Sequence, residues 1–428
     1  MDRGRVAIVG GGLAGLAAGV ELKERGWTVE LFERSRLLGG RATSFEIEGH
    51  EVDNGQHVFL GACTEFVRFA ERVGMGDCLF LQDRFEALVF RDGIASRLSA
   101  LPLPAPWHVA LSFAGYKHLS WPARLGVVRV LLGIANARTS DASFADWLRG
   151  RGQGEEARVA FWEPFIVPAL NAPLERIPAR DAAFVLQTAF MRDAAGARFG
   201  WSTVPLAHVA RAAAGQLDAV HAAAPVFALE RERDAIALHL EGGRCARFDA
   251  VVLAVAPPQL AHLAGADTGL GLPALDGWEP QPIVDVHLWH DAGRLPFDFA
   301  ALLDSPVQWI FQKADGYLCC SLSAADEMLR SPTEAVSARA WDEVRRSIPA
   351  LCTATLVRSA VTRNPNATFL PRAGTVRPQT TTADPRVALA GSWIDTGWPD
   401  TMESAVRSGF AAARALDGAR LPDAVPSV

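Results

Sequence analysis

A cluster of glycines near the start of the chain, Gly10-Gly11-Gly12-Leu13-Ala14-Gly15, places the strongest constraint on what this sequence can fold into. It follows an apolar run at residues 5–9, which predicts a buried strand, and opens an apolar segment at residues 13–25, which predicts a helix. Residues 28–32 predict a second strand. Glycines spaced as G-x-G-x-x-G in this context are typical of βαβ units that bind dinucleotides.

The glycines have separate roles in such a unit. Gly10 permits the tight turn, Gly12 lets a pyrophosphate approach the backbone, and Gly15 lets helix and strand pack closely. The helix begins at Leu13 and Ala14, where unpaired backbone N–H groups and the positive end of the helix dipole face the phosphates. We therefore expect these five residues to form a dinucleotide-binding turn.

Two further features indicate which dinucleotide is bound. Glu33 follows the second strand about 20 residues beyond the glycines, where a carboxylate accepts hydrogen bonds from ribose hydroxyls. The alternative for Glu33 is a solvated charge at a strand end. Gly40, beside Gly39, lets the backbone pass close to the cofactor, and Arg41 supplies positive charge for the pyrophosphate. Because ordinary dehydrogenases have no need of this second pair, it favours FAD over NAD.

Length and pattern predict two interleaved domains. A chain of 428 residues is too long for one small core. Apolar strands at residues 250–255 and 387–389, and a helix at 402–416, would share the sheet of the first βαβ unit. An alternating run at residues 283–323 predicts antiparallel strands of a second domain. The predicted class is α/β, with a Rossmann-like FAD-binding domain (residues 1–75, 205–262 and 361–428) and an interleaved α+β substrate domain (residues 76–204 and 263–360).

Composition excludes several function classes. The net charge of −6 leaves no basic footprint for nucleic acid. The six cysteines form no C-x-x-C pair, so we expect reduced thiols in the cytoplasm, with neither a disulfide framework nor a metal site. We also expect neither a signal peptide nor a spanning helix, because no run reaches the roughly 18 apolar residues that a span needs.

Residues 98–136 differ from the rest of the chain, being rich in Pro, Trp, Leu and Val with few acidic groups. A helix that is apolar almost all round is predicted at residues 122–137, and it begins within this segment. Two interpretations stay open: a buried core helix, or an interfacial or channel-lining helix that admits a lipid. The second would place the protein peripherally on the inner face of the cytoplasmic membrane.

Taken together, these motifs resemble the large FAD superfamily of flavin amine oxidases and phytoene desaturases, whose two-domain fold the chain is expected to share. The strand Val387-Ala388-Leu389-Ala390-Gly391 and the helix after it match the closing motif of that superfamily. The resemblance implies that the backbone around Thr401 and Met402 meets the pyrimidine edge of the flavin. It also implies that the backbone of Val226 contacts the adenine, although Val226 is equally consistent with plain core.

One position departs from the superfamily. An acidic residue usually follows the Ala-Gly of the closing strand and holds the ribityl chain or the pyrophosphate, whereas this chain has Ser392. A hydroxyl still makes hydrogen bonds, but weaker cofactor binding follows from the missing charge. Whether Asp395 substitutes is open at this stage.

Four segments narrow the resemblance to the hydroxysqualene dehydroxylase family, which acts in bacterial hopanoid synthesis. They are residues 53–61 (around Asn54-Gly55-Gln56-His57), 162–165, 170–173 and 396–399. The resemblance covers essentially the whole chain. It implies a hydrophobic isoprenoid substrate whose allylic hydroxyl is replaced by hydride from reduced flavin, which releases water and squalene.

The implied reaction needs a proton donor, because the hydroxyl leaves as water. His57 is the candidate, since it lies where the superfamily approaches the flavin ring; the alternative is a histidine that makes structural hydrogen bonds. Other candidates are Asp53, Asp395 and Asp400, with His287 and His290 ranked below His57. Tryptophan faces would stabilise a developing cation, and those in candidate regions are Trp162, Trp201, Trp289, Trp309, Trp393 and Trp398. No second G-x-G-x-x-G follows a strand, so the electron donor is unknown.

Two alternative functions remain at this stage. A phytoene-desaturase-like or amine-oxidase-like flavoenzyme would run the redox step in the opposite direction on an apolar substrate. A non-catalytic lipid carrier on the same fold is a different class of protein. Such carriers generally lack an intact FAD site, whereas Gly10, Gly12, Gly15, Glu33 and Arg41 are all present.

Overall fold

The computed structural model describes residues 3–47, 49–140, 142–264, 269–272, 275–371 and 375–418. The strands are β1 (Arg5–Val9), β2 (Thr28–Phe32), β3 (Ser44–Ile47), β4 (His50–Asp53), β5 (Val58–Leu60), β6 (Leu79–Leu81), β7 (Glu86–Arg91), β8 (Ile94–Ser99), β9 (Phe199–Ser202), β10 (Ala219–His221), β11 (Val226–Arg231), β12 (Ile236–Leu240), β13 (Cys245–Phe248), β14 (Ala250–Leu253), β15 (Trp278–His290), β16 (Phe299–Leu302), β17 (Trp309–Ala314), β18 (Tyr317–Ser323), β19 (Leu356–Pro371) and β20 (Val387–Leu389). The α-helices are α1 (Leu13–Glu24), α2 (Thr64–Arg72), α3 (Ala110–Ala114), α4 (Trp121–Leu132), α5 (Phe144–Arg149), α6 (Glu155–Ala157), α7 (Glu163–Leu170), α8 (Ala179–Leu186), α9 (Ala207–Ala214), α10 (Pro257–Ala264), α11 (Asp326–Arg330), α12 (Thr333–Ser347) and α13 (Met402–Gly418).

Five strands from distant parts of the chain form one parallel sheet, in the order β10-β2-β1-β14-β20. The central strands β1 and β14 are buried almost throughout, which is why both appear in the sequence as continuous apolar runs. α1 and α13 approach closely, because a Cβ at Gly409 would lie 2.2 Å from the carbonyl oxygen of Ala14. The predicted α/β class is confirmed, as is the prediction that the strands near 250 and 387 join the first βαβ unit in one sheet.

A second sheet of seven strands has the order β19-β15-β18-β17-β16-β7-β8. Strands β15 to β18 pair antiparallel with one another or with β19, as the alternation at residues 283–323 predicts. One face of β15 buries Val284, Val286 and Leu288 in an apolar core with residues of α12, and the other face carries Asp285 and His287. β19 runs through residue 360, where a domain boundary was predicted, and the predicted boundaries remain a prediction.

Helix α4 forms within the apolar segment, but it is not a buried core helix. Val127 and Val130 are buried, while Trp121, Leu125 and Leu132 are 62%, 66% and 62% exposed. Together with the exposed Val128, these side chains recur at intervals of three and four residues and therefore share one face. The core-helix interpretation is wrong for this face. None of the described helices combines the length and apolar character needed to cross a membrane.

Candidate active site

A cavity of about 890 Å³ opens at the carboxyl ends of the parallel strands, where Val9, Phe32 and Ala254 contribute to its wall. Ligands of open α/β sheets bind at this edge. Among the predicted site residues, the lining comprises Gly10, Gly12, Leu13, Ala14, Glu33, Gly40, Arg41, His57, Val226, Ser392, Thr401 and Met402. Gly15 does not line the cavity. One cavity therefore brings together residues from three distant stretches of the chain.

Close packing requires glycine at two positions of the turn, Gly10 and Gly15, but not at Gly12. Gly10 has a φ of +111°, and a Cβ there would lie 2.4 Å from the carbonyl oxygen of Ala254. A Cβ at Gly15 would lie 2.0 Å from the carbonyl oxygen of Gly10, so Gly15 is needed for the packing of α1 on β1. A Cβ at Gly12 would meet nothing closer than the Cα of Gly40, at 3.9 Å. Protein packing does not require glycine at position 12, and its open backbone fits a phosphate group.

Glu33 is tied to the glycine turn. One carboxylate oxygen accepts the backbone N–H of Gly11 at 2.7 Å, and the other accepts that of Ser35 at 2.8 Å. Because a carboxylate oxygen accepts more than one hydrogen bond, both oxygens retain capacity for ribose hydroxyls. Glu33 therefore orders the turn and also lines the cavity, which a freely solvated strand-end charge would not do.

Arg41 follows Gly39 and Gly40 and links their loop to the closing segment, which is the strand β20 and the chain after it up to the helix α13. Its guanidinium donates to both carboxylate oxygens of Asp400, at 2.8 and 2.9 Å, to the hydroxyl of Ser392, and to the carbonyl oxygen of Ala367. Burial acts to raise the pKa of Asp400, but the charge and hydrogen bonds of Arg41 hold that pKa below its usual value. Asp400 is therefore ionised, which excludes it as the proton donor.

Two carboxylates further along the chain, Asp395 and Asp400, differ in their position relative to the cavity. Asp395 is exposed, accepts from Gln379 and the Gly397 N–H, and does not line the cavity. Asp400, and not Asp395, is the carboxylate that lies at the cavity, where it pairs with Arg41. The sequence offered no signal for this pair, because its members are 359 residues apart.

The nearby proton-donor candidates have different surroundings. His57 lines the cavity with Asn54, Gly55 and Gln56, and its Nδ1 is buried without a hydrogen-bond partner. Burial lowers the pKa of His57, although the charge of Asp53 opposes this shift, so the imidazole is neutral. Asp53 itself accepts the hydroxyl of Ser44 and the N–H of Leu206, both at 2.7 Å, which is a structural role.

The two lower-ranked histidines lie on β15, away from the lining. His287 is buried, its Nδ1 lies 2.8 Å from the hydroxyl oxygen of Tyr317, and burial lowers its pKa to about 4. His290 stacks on Trp341 at 6.2 Å between ring centroids. Between them and the cavity lies a residue that the sequence analysis missed, Asp285. It is fully buried, and its Oδ1 accepts the N–H of Gln56 at 3.3 Å.

Three of the six singled-out tryptophans are buried, and the other three are partly exposed. Only Trp393 of the six lines the cavity, and its Nε1 donates to the carbonyl oxygen of Val255. Trp162 and Trp309 belong to a large aromatic core that also contains Phe165, Phe190 and other rings. The distinctive Asn171 is structural: it ends α7 with a φ of 50°, and its side chain bonds to the backbones of Gln281 and Ala324.

Comparison with known proteins decides the family. A model of the flavin-containing amine oxidoreductase family matches residues 13–417. The chain belongs to that family. It is accordingly an FAD-dependent oxidoreductase, and the open Gly12, the helix N-termini of α1 and α13 and the carboxylate of Glu33 fit that dinucleotide. Among the described residues, no group of three or more His, Cys, Asp or Glu side chains is placed to bind a metal ion.

Curated relatives and solved structures agree with this assignment. The chain is 26% identical to hydroxysqualene dehydroxylase of Zymomonas mobilis and 29% identical to that of Rhodopseudomonas palustris, each over 95% of this chain and 97% of the relative. It is 30% identical to zeta-carotene desaturase of Zea mays over 37% of this chain and 31% of the relative. Putrescine oxidase bound to putrescine shares the fold with a TM-score of 0.75 and 18% identity, over 98% of this chain and 100% of the other.

Proposed function

We propose that this protein catalyses the FAD-dependent reductive dehydroxylation of hydroxysqualene to squalene, in the synthesis of hopanoids. The observation that supports the proposal most is the loop Asn54-Gly55-Gln56-His57, because the most distinctive segment of the sequence is also a wall of the cofactor cavity. The relatives that bear the dehydroxylase name align with nearly the whole chain, whereas the desaturase aligns with little more than a third of it.

The lining of the cavity supports a set of proposed cofactor contacts. The N-terminus of α1, where Gly12 leaves the backbone open, would hold the pyrophosphate, and Glu33 would hold the ribose of the adenosine. Arg41 adds positive charge at the phosphates and holds the closing segment through Asp400. The remaining lining residues that would hold the cofactor are Gly10, Leu13, Ala14, Gly40, Val226 and Ser392, together with Thr401 and Met402, which the family resemblance assigns to the flavin end.

Reduced FAD, when bound, supplies the hydride that forms the new C–H bond. The chain contributes apolar side chains to the cavity wall, among them Ile283, Phe369 and Trp393, and these limit the water around an apolar substrate. His57 is the lining group that contacts the departing hydroxyl. Since its ring is neutral, it orients the hydroxyl by hydrogen bonding and does not act as a cationic acid.

The exposed apolar side chains of residues 103–132 support peripheral membrane association on the inner face of the cytoplasmic membrane. Seven of the 13 large hydrophobic side chains that are exposed among the described residues lie in this short segment. The segment contains no Asp or Glu and includes Lys117, Arg124 and Arg129. An apolar helix face flanked by cations is typical of an interfacial helix, and an isoprenoid substrate dissolves in the bilayer and not in water.

Sedimentation with anionic liposomes tests the membrane proposal. The double variant Leu125→Glu, Leu132→Glu should bind liposomes at least about tenfold more weakly, because two side chains lose their burial in lipid. Ile94→Glu with Val357→Glu is the matched control, since both residues are exposed and lie outside the segment. Equal sedimentation of the two double variants would refute the docking of α4.

A panel of substrates tests the reaction. Holoenzyme reduced with dithionite under anaerobic conditions is mixed with hydroxysqualene, and oxidised holoenzyme is mixed with phytoene or putrescine. We expect squalene from the first mixture and no product from the others. Desaturated polyene or oxidised amine without squalene would instead support the desaturase-like or oxidase-like alternative.

A further inference from the structure

Asp285 lies in the middle of β15, between Ser321 of β18 and Thr362 of β19 in the register of the sheet. Its side chain is completely buried, and the cation whose charge acts on it, Lys313, forms no ion pair with it. Burying a carboxyl group without a cationic partner is costly, so the group needs either a proton or a functional reason to be there. The structure offers both.

Polar atoms without partners collect around this residue. Asp285 Oδ2, Thr362 Oγ1 and His287 Nε2 are buried without hydrogen-bond partners, and the three side chains share one face of the sheet. His57 Nδ1, in the neighbouring loop, is also unpartnered. Buried polar atoms in proteins are nearly always paired, so four such atoms in one region mark a place that is built to handle a proton or a polar ligand.

Asp285 does not line the cavity itself but lies next to residues that do. Ile283 and Asn364, which pair with each other two residues along β15 and β19, both line the cavity. Gly55 also lines it, and a Cβ at Gly55 would lie 3.2 Å from Asp285 Oδ2. The unpartnered oxygen therefore faces the cavity wall at the one loop position that has no side chain.

Burial is the main reason that Asp285 keeps its proton up to about neutrality. Burial raises the pKa of Asp285 to about 7; the charge of Asp53 adds to this shift, while Ser321, the Gln56 N–H and Lys313 oppose it. The titratable or charged side chains near Asp285 are Asp53 of β4, His287 of β15, Lys313 of β17, and Tyr317, Cys319 and Cys320 of β18, with His57 in the loop that carries Gly55 and Gln56. Burial lowers the pKa of His287 and raises those of Tyr317 and Cys319, so these three are neutral.

We propose that Asp285 is the proton source of this site, and that its carboxyl group delivers a proton to the cavity beside Gly55. The assignment rests on the proposed dehydroxylation. The C–O bond of the substrate breaks as the hydroxyl takes up the proton of Asp285 and leaves as water. The hydride that reduced FAD supplies then forms the C–H bond, and the Asp285 carboxylate regains a proton from solvent.

Infrared difference spectroscopy of FAD-loaded protein tests whether Asp285 holds the proton, independently of turnover. Wild type should show the carbonyl band of a buried carboxylic acid that disappears with a midpoint near the pKa of about 7. Asp285→Asn, which is nearly isosteric, should lack this band and still bind FAD. Asp395→Asn is the control, because Asp395 is exposed and lies outside the cavity, and it should keep the band.

Single-turnover reoxidation of the reduced holoenzyme by hydroxysqualene tests delivery. The wild-type rate should fall about tenfold per pH unit above neutrality, and Asp285→Asn should be about 100-fold slower with no such pH dependence. Gly55→Ala should keep the titrating band but slow the reaction, because the new Cβ would lie 3.2 Å from Oδ2 at the cavity wall.

The outcomes separate the two proposals. No titrating band in wild type, or Asp285→Asn reacting at the wild-type rate, would overturn the role of Asp285. If Asp285→Asn does not fold, the wild-type band and the Gly55→Ala rate still decide it. If wild type leaves hydroxysqualene unchanged, the dehydroxylase proposal fails, while the band still shows whether Asp285 carries the proton.

Discussion

Two regions of the molecule place their charged groups in contrasting surroundings. One is the cofactor cradle, formed by the glycine turn with Glu33, Arg41 and Asp400. The other is the polar sheet face behind residues 54–57, which carries Asp285 and His287. In the cradle, Glu33 accepts two backbone N–H groups, and Arg41 and Asp400 form a two-point ion pair. Behind the loop, Asp285 and His287 are buried with polar atoms left unpartnered. The cradle is therefore a stable, preorganised support, whereas the sheet face gives up stability to keep a titratable group beside the cavity.

The largest effect on the free energy of unfolding should come from removing the carboxyl group of Asp285 from the polar sheet face. Because the folded-state pKa of Asp285 is raised to about 7, the wild-type protein should lose stability as pH rises from the ordinary range of a carboxyl group to neutrality. Asparagine does not titrate, so Asp285→Asn should not lose this stability. Above neutrality its free energy of unfolding should exceed that of wild type by up to about 4 kcal/mol. Urea denaturation on both sides of neutrality measures the difference.

The exposed Asp395→Asn is the control for that experiment and should change the free energy of unfolding by less than about 0.5 kcal/mol at either pH. A stability difference between wild type and Asp285→Asn that is independent of pH would contradict the raised pKa. In that case the two regions would not differ as described.

In the cofactor cradle, Arg41→Ala should destabilise the protein by about 3 kcal/mol, because it leaves the Asp400 carboxylate, 6% exposed, without its cation. This value is at the low end for a buried pair, since the Arg41 side chain is 35% exposed. The pair lowers the pKa of Asp400, so its contribution is present above the ordinary pKa and is lost as pH falls through the lowered one. The gap between wild type and variant, measured by denaturation, should therefore shrink in acid.

Arg36→Ala is the matched control, since Arg36 is an exposed arginine in the same loop. A loss of stability equal to that of Arg41→Ala would mean that any arginine in this loop matters equally. The ion pair of Arg41 with Asp400 would then make no particular contribution to the free energy of unfolding.

A smaller effect separates packing from cofactor binding within the cradle. Gly15→Ala should lower the free energy of unfolding by about 2 kcal/mol, because the new Cβ collides with the carbonyl oxygen of Gly10. Gly12→Ala should leave the stability of the apoprotein within about 0.5 kcal/mol of wild type but weaken FAD binding at least about tenfold. Denaturation of the apoproteins and FAD titration measure the two quantities. If Gly12→Ala binds FAD as wild type does, the pyrophosphate does not lie at Gly12.

The same contrast explains what the sequence could predict. The βαβ unit is local: strand, turn, helix and Glu33 lie within about 30 residues and carry their own pattern. The contact of Gln56 with Asp285 joins residues 229 apart, and that of Arg41 with Asp400 joins residues 359 apart. No local pattern encodes such pairs, because they depend on the register of β15 and on the path of the closing segment. The apolar pattern around α4 likewise predicted a helix but not which side faces solvent.

The position of a deuterium label tests the central claim most directly. Reduced holoenzyme equilibrated in D2O is mixed anaerobically with hydroxysqualene, and both the return of the oxidised flavin absorbance and the squalene formed are measured. Dehydroxylation predicts one squalene per flavin reoxidised, with deuterium at the carbon that carried the hydroxyl. Unlabelled squalene, or flavin that stays reduced while hydroxysqualene is unchanged, would contradict the account.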